Sequence, residues 1–238
     1  MPIEDAAAAA REGNMDFIYH LNTEQLHAVV HKFDEDNRTL LHVVACTGDL
    51  DLVQYILDSG GKELIDHADD EGWTALHSAT SCGYPSVAKL LLITGASAGQ
   101  TTAQGRSPLH YAASKGCVDI IPDLVSHGAD VNARDCTGAT PLHRAASVGL
   151  TPVLRVLLDT PDVKLDVKDN YGQTPLSLAC SGGHRVAALV LAGRGADVES
   201  ENQEGETPLS LAAPFGSLRF HLGQLAKGEK TLDDFELA

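Results

Sequence analysis

Cationic residues, paired cysteines and long apolar runs are what this sequence has least of. Lys and Arg number 17 against 33 Asp and Glu, a formal charge of −16. A surface this acidic repels phosphate backbones and anionic lipid, so the expected partner is a basic protein and neither nucleic acid nor membrane. The cysteines Cys46, Cys82, Cys117, Cys136 and Cys180 are odd in number and include no CxxC pair. They read as reduced thiols used as small packing residues. Ala6 to Ala10 have neither a basic segment ahead of them nor the length of a membrane-spanning run, so secretion and membrane insertion are not expected and the chain is placed in the cytoplasm and nucleus. GxSxG, HExxH and phosphate-loop motifs are all missing. No catalytic, cofactor or metal role is therefore expected.

What the sequence does have is a period. A Thr or Ser recurs at Thr39, Thr74, Ser107, Thr140, Thr174 and Thr207, in steps of 35, 33, 33, 34 and 33 residues, and a glycine follows each nine positions later, from Gly48 to Gly216. Within a unit such as Gly105 to Gly116, GRSPLHYAASKG, the hydroxyl residue caps a helix, proline fits its first position, and Leu with Ala-Ala forms an apolar stripe. Glycine at the ninth position ends that helix because it enters left-handed geometry without steric cost. A second apolar helix follows, as over Val118 to Val125 or Pro152 to Leu158, and ends at a second glycine: Gly60, Gly95, Gly128 or Gly195. A polar finger then leads to the next unit. The fifth unit departs from this where Thr160-Pro161-Asp162 stands in place of the glycine stop, which predicts a local bend. Pro122 falls inside a second helix and predicts a short or kinked one.

The strings TLLH, TALH, SPLH, TPLH, TPLS and TPLS at the six helix starts resemble the ankyrin repeat in both period and signature. The resemblance implies an all-α solenoid of stacked helical hairpins with β-hairpin-like finger loops. Gly13 lies one period before Gly48, which adds a degenerate first unit, with a second helix from about Met15 to Leu21 and an irregular connection through Val29, Val30 and Phe33. Seven repeats are thus expected, near 4–33, 34–66, 69–100, 102–133, 135–168, 169–201 and 202–227. Together they form a single domain over residues 1–227 followed by an acidic, disordered tail over 228–238.

His42, His77, His110 and His143 stand at one position of four successive units. Neighbouring helices pack roughly 8–10 Å apart, too far for one ion held at about 2 Å, so these histidines are read as structural hydrogen-bonding residues. Binding falls to positions that the repeat leaves free. In ankyrin proteins these are the finger tip and the exposed face of the first helix, a set that comprises Glu35, Asp36, Arg38, Asp70, Glu71, Trp73, Arg106, Tyr111, Lys115 and Arg144. Trp73, the one tryptophan, stands beside acids like a binding anchor. It could instead pack on a neighbouring finger.

Four strings, Asp36-Asn37-Arg38-Thr39, Asp69-Asp70-Glu71-Gly72-Trp73, Ser107 to Lys115 and Thr140 to Ala146, are similar to the gankyrin family of proteasome assembly chaperones. That resemblance implies a monomer whose concave acidic surface grips the basic C-terminal domain of an AAA-type ATPase subunit of the proteasome regulatory particle, with Asp36, Arg38, Asp70 and Trp73 in contact. Animal members carry an LxCxE motif in repeat six. This chain has Leu178-Ala179-Cys180-Ser181-Gly182 there, without the acid that a retinoblastoma-type partner would need, and Val43 stands where the family has a second groove tryptophan. The alternative is a signalling or transcriptional ankyrin adaptor for another basic protein.

Overall fold

The hydroxyl residue that opens each repeat works as a helix cap in the computed structural model, which describes residues 16–229 and Thr231. Thr39, Thr74, Thr140, Thr174 and Thr207 all take extended backbone at the N-cap position. Among the described residues two helices precede the first of them, α1 (Asp16–Tyr19) and α2 (Thr23–Val30). The second corrects the irregular connection expected here. Asn22 accepts from the backbone N–H of Gln25 at 2.9 Å while the Gln25 side chain accepts from the N–H of Asn22, a reciprocal cap that starts a helix without any TPLH string. Leu26, Val29 and Val30 are its buried face. The first helix of the degenerate repeat and most of the tail lie outside the described residues.

The hairpins follow in order: α3 (Leu40–Ala45) with α4 (Leu50–Asp58), α5 (Ala75–Cys82) with α6 (Pro85–Thr94), and α7 (Pro108–Lys115) with α8 (Ile121–Ser126). Next come α9 (Pro141–Val148) with α10 (Thr151–Leu158), α11 (Pro175–Ser181) with α12 (Arg185–Gly193), and α13 (Pro208–Leu211) with α14 (Gly216–Ala226). The chain divides into two units, one running to Lys115 and including Asp123–Ala129, the other holding Gly116–Pro122 and the residues from Asp130 onward. In the first unit α3 packs on α5 and α5 on α7, while α4 packs on α6. The second repeats the scheme, α9 on α11 on α13 and α10 on α12 on α14. The interfaces are built from the predicted apolar stripe: Leu41, Leu76, Leu109, Leu142 and Leu176, with the alanines beside them, are buried.

Three local departures have plain causes. Pro122 does not kink a long helix. A 3-10 turn over Val118–Ile120 comes first, and α8 starts at Ile121, so the proline occupies its first turn, where no N–H is needed. Asp162 takes φ 62°, the left-handed conformation that glycine supplies in other repeats, and is held there because Asn132 donates through Nδ2 to its carbonyl at 2.9 Å. Gly216, expected to end a helix, instead begins α14; α13 has already stopped at Leu211.

The fingers contain no strand among the described residues. Each is a hairpin-like loop closed by one rule: a polar side chain five positions ahead of the helix-capping residue gathers the backbone N–H groups that follow it. The Asp34 Oδ1 accepts from Asp36 and Arg38, and the Asp69 Oδ1 from Glu71 and Trp73. Asp135, Asp169 and Asn202 do the same in their repeats, and Thr102 accepts from the N–H of Arg106 through its hydroxyl. Neighbouring tips are joined by backbone bonds, from Asp70 N to Asp36 O at 3.1 Å and from Ala103 N to Glu71 O at 2.8 Å.

Candidate protein-binding groove

The histidines set the height of the fingers. The Nδ1 of His42 accepts from the backbone N–H of Thr39 at 3.1 Å, and its Nε2 donates to the carbonyl of Trp73 in the next repeat at 2.9 Å. His77 repeats this between Thr74 and the carbonyl of Arg106, and His143 between Thr140 and the carbonyl of Gln173. Serving one acceptor and one donor, each ring is a neutral Nε2–H tautomer. Burial pushes the pKa of all three below the ordinary histidine value, in spite of the opposing backbone hydrogen bonds, and that of His77 down to about 4. Among the described residues no group of three or more His, Cys, Asp or Glu could hold a metal ion. Repeats six and seven have Ser177 and Ser210 at this position, and each bonds within its own cap.

With its carbonyl held by His42 and its N–H by Asp69, Trp73 has a fixed backbone. Its side chain is half-buried and rests on Tyr111 from α7, with ring centroids 4.6 Å apart. The expected packing on a neighbouring finger is thus replaced by packing on a helix of the next repeat. The ring is anchored on its neighbour and still faces a groove of about 670 Å³. The groove is lined by Asp36, Arg38, Asp69, Asp70, Glu71 and Trp73 from the fingers, and by Cys46, Ser78, Ser81 and Cys82 from the inner helices. Four carboxylates against one guanidinium give the lining a net negative charge. Asp36, Asp70 and Glu71 are exposed, whereas the Asp69 carboxylate is engaged by the loop.

The structure brings together five of the residues expected at the site: Asp36, Arg38, Asp70, Glu71 and Trp73. Glu35 and Lys115 are exposed but do not line the groove. Tyr111, expected on an exposed helix face, is buried with 7 % of its surface accessible, and serves as the platform under Trp73. Arg106 contributes its carbonyl to the histidine ladder. Arg144 lies in the other unit, bound through Nε and a second guanidinium nitrogen to the buried Asp135 carboxylate. Burial alone would raise the pKa of Asp135, but hydrogen bonds from Arg144 and Thr137 outweigh it and hold the pKa at about 2. Cys180, centre of the altered LxCxE string, is buried and its thiol is pushed up to about 12.

Sequence reasoning missed the polar residue that organises each finger, although Asp34, Asp69, Thr102, Asp135, Asp169 and Asn202 keep the repeat spacing. It also missed the groove floor. Cys46 and Cys82 are not at equivalent positions of their repeats, so the period gives no reason to pair them.

Models of ankyrin repeats match residues 6–102, 91–169 and 171–203. Mouse diacylglycerol kinase iota is 49 % identical over 70 residues, which is 29 % of this chain and 7 % of the kinase. The 26S proteasome non-ATPase regulatory subunit 10 of Dictyostelium discoideum is 48 % identical over 63 residues, 26 % of this chain and 27 % of that protein. Human protein phosphatase 1 regulatory subunit 27 is 37 % identical over 65 residues, 27 % of this chain and 41 % of its own length. Each match thus spans less than half of the relative. With the signature strings, the capped hairpins and the histidine ladder on the same register as the matched repeats, the chain belongs to the ankyrin-repeat family.

Proposed function

We propose that this chain is a non-enzymatic binding protein that captures the basic C-terminal domain of an AAA-type ATPase subunit of the proteasome regulatory particle. By covering that domain it blocks premature docking on the core particle and so assists assembly. The observation that carries the reading is the groove itself: Trp73, braced on Tyr111, stands beside Asp36, Asp70 and Glu71, an apolar anchor ringed by groups that pair with Lys and Arg. The likeness to proteasome regulatory subunit 10 points in the same direction, as does the resemblance of the finger strings to gankyrin. Such a protein acts as a monomer in the cytoplasm and nucleus. Affinity capture from cell extract tests this directly. Regulatory-particle ATPases should be enriched, and titration with a purified ATPase C-terminal domain should saturate at one per chain. Recovery of other basic proteins without any ATPase subunit would favour a signalling adaptor, a reading in keeping with the diacylglycerol kinase and phosphatase-regulator relatives.

A further inference from the structure

The floor of the groove holds two thiols that the binding reading does not use. Cys46 follows α3 and Cys82 is the last residue of α5, so they come from successive repeats; both line the groove, and Ser78, whose carbonyl takes the Cys46 thiol, lies one turn before Cys82 in α5. Cys82 is exposed, while Cys46 is half-buried behind it and donates to the carbonyl of Ser78 at 3.7 Å. We propose that Cys46 and Cys82 form a redox modification site, in which a hydroperoxide oxidises Cys82 and Cys46 then closes a disulfide across the groove floor.

The two roles follow from environment. Burial pushes the Cys46 thiol up to about 12, so Cys46 is not the sulfur that an oxidant meets first. Exposure makes Cys82 the sulfur that meets an oxidant, since the thiolate is the nucleophile and access decides which one reacts. The Cys82 thiolate attacks one peroxide oxygen, the O–O bond breaks, and the leaving hydroxide or alkoxide departs as water or alcohol with a proton from solvent. The sulfenic acid so formed lies against Cys46. The Cys46 sulfur attacks it, the S–O bond breaks, and the hydroxide leaves as water with the proton that Cys46 gives up. Two thiols are oxidised and one peroxide is reduced. The resulting bond ties the end of α3 to the end of α5, and removes the thiol donor that Cys46 directs at Ser78.

The test uses the full chain, reduced and then exposed to a few molar equivalents of hydrogen peroxide, with digestion and mass spectrometry under non-reducing conditions. The expected product is a linked Cys46–Cys82 peptide pair lighter by two hydrogen atoms and restored by dithiothreitol. In Cys46→Ser, a Cys82 sulfenic acid should persist long enough to be trapped by dimedone. In Cys82→Ser, Cys46 should remain a thiol. The proposal is overturned if wild-type Cys82 goes to sulfinic acid or to an intermolecular disulfide while Cys46 stays reduced, or if neither is oxidised at a dose that oxidises Cys136. Since the readout is the mass of the chain itself, it stands or falls independently of which partner fills the groove.

Discussion

At the level of single residues, Trp73 and Asp69 divide the work of one finger. The Trp73 ring presents apolar surface to the groove, and its removal in Trp73→Ala should cost about 2–4 kcal/mol of partner binding, roughly 30- to 1000-fold in affinity. The ring also rests on Tyr111, and an aromatic pair contributes about 0.5–1.5 kcal/mol beyond its buried area. Trp73→Ala should therefore also lower the melting temperature, whereas Trp73→Phe should keep most of the stability; titration and thermal melts on the same samples separate the two effects. Asp69 acts from inside. In Asp69→Ala the N–H groups of Glu71 and Trp73 lose their acceptor, a change worth about 1–2 kcal/mol of stability, and Asp69→Asn should restore most of it. Asp70→Asn, altering an exposed groove acid, should weaken binding with no shift in melting temperature.

Between elements, the decisive contacts are buried and polar, and they make stability depend on pH in two separate windows. His42, His77 and His143 have folded-state pKa values below the ordinary 6.5, so below that pH the unfolded chain takes up protons that the folded one refuses. Their contribution is complete above pH 6.5 and is lost as pH falls, with His77 ceasing to cost stability only near its folded value of about 4. For His77 alone the loss is on the order of 3 kcal/mol, and chemical denaturation followed between pH 7 and pH 4 should show it. His77→Gln should flatten the profile, while lowering stability at pH 7. Asp135 behaves in the same direction at lower pH: its contribution is present above the ordinary 3.8 and vanishes as pH falls toward about 2. Arg144→Ala would leave the buried carboxylate without its cation. Removing one partner of a buried pair costs about 3–5 kcal/mol, and because Arg144 is itself a quarter exposed, a loss of about 2–3 kcal/mol is expected in a urea melt at pH 7.

On the scale of the whole chain, the proposed encounter with a basic domain is a matter of charge. Residues 1–106 hold 16 acids against 6 Lys and Arg, and the groove at Trp73 belongs to that stretch. Attraction for a basic domain should be felt beyond contact distance and should weaken as added salt shortens a screening length of about 10 Å at 0.1 M. The association rate should fall steeply with ionic strength while the dissociation rate changes little. Stopped-flow traces at several salt concentrations would show this, and rates that do not depend on salt would remove electrostatic steering from the account. Among the described residues no helix is long and apolar enough to cross a membrane.

The repeat is written in the chain because its rules are local. A hydroxyl cap, proline at the first helical position and glycine in left-handed backbone act within one turn of chain, so their spacing is visible in one dimension. By the same logic the finger rule is legible in the chain, since Asp34 and Asp69 keep the period as faithfully as the threonines do. Helix α2 rested on a local signal too, an Asn22–Gln25 cap hidden by the lack of a TPLH string. What one repeat presents to the next emerges only when the layers are assembled. Nothing in the string around Trp73 places Tyr111 beneath it, sets Cys46 and Cys82 in one groove, or pairs Arg144 with a buried Asp135. The physical reason is that burial and pairing are properties of two surfaces brought together. A periodic sequence specifies that its repeats will stack, but which side chains the stacking covers and which it leaves to a ligand depends on their sizes and directions in the assembled layers.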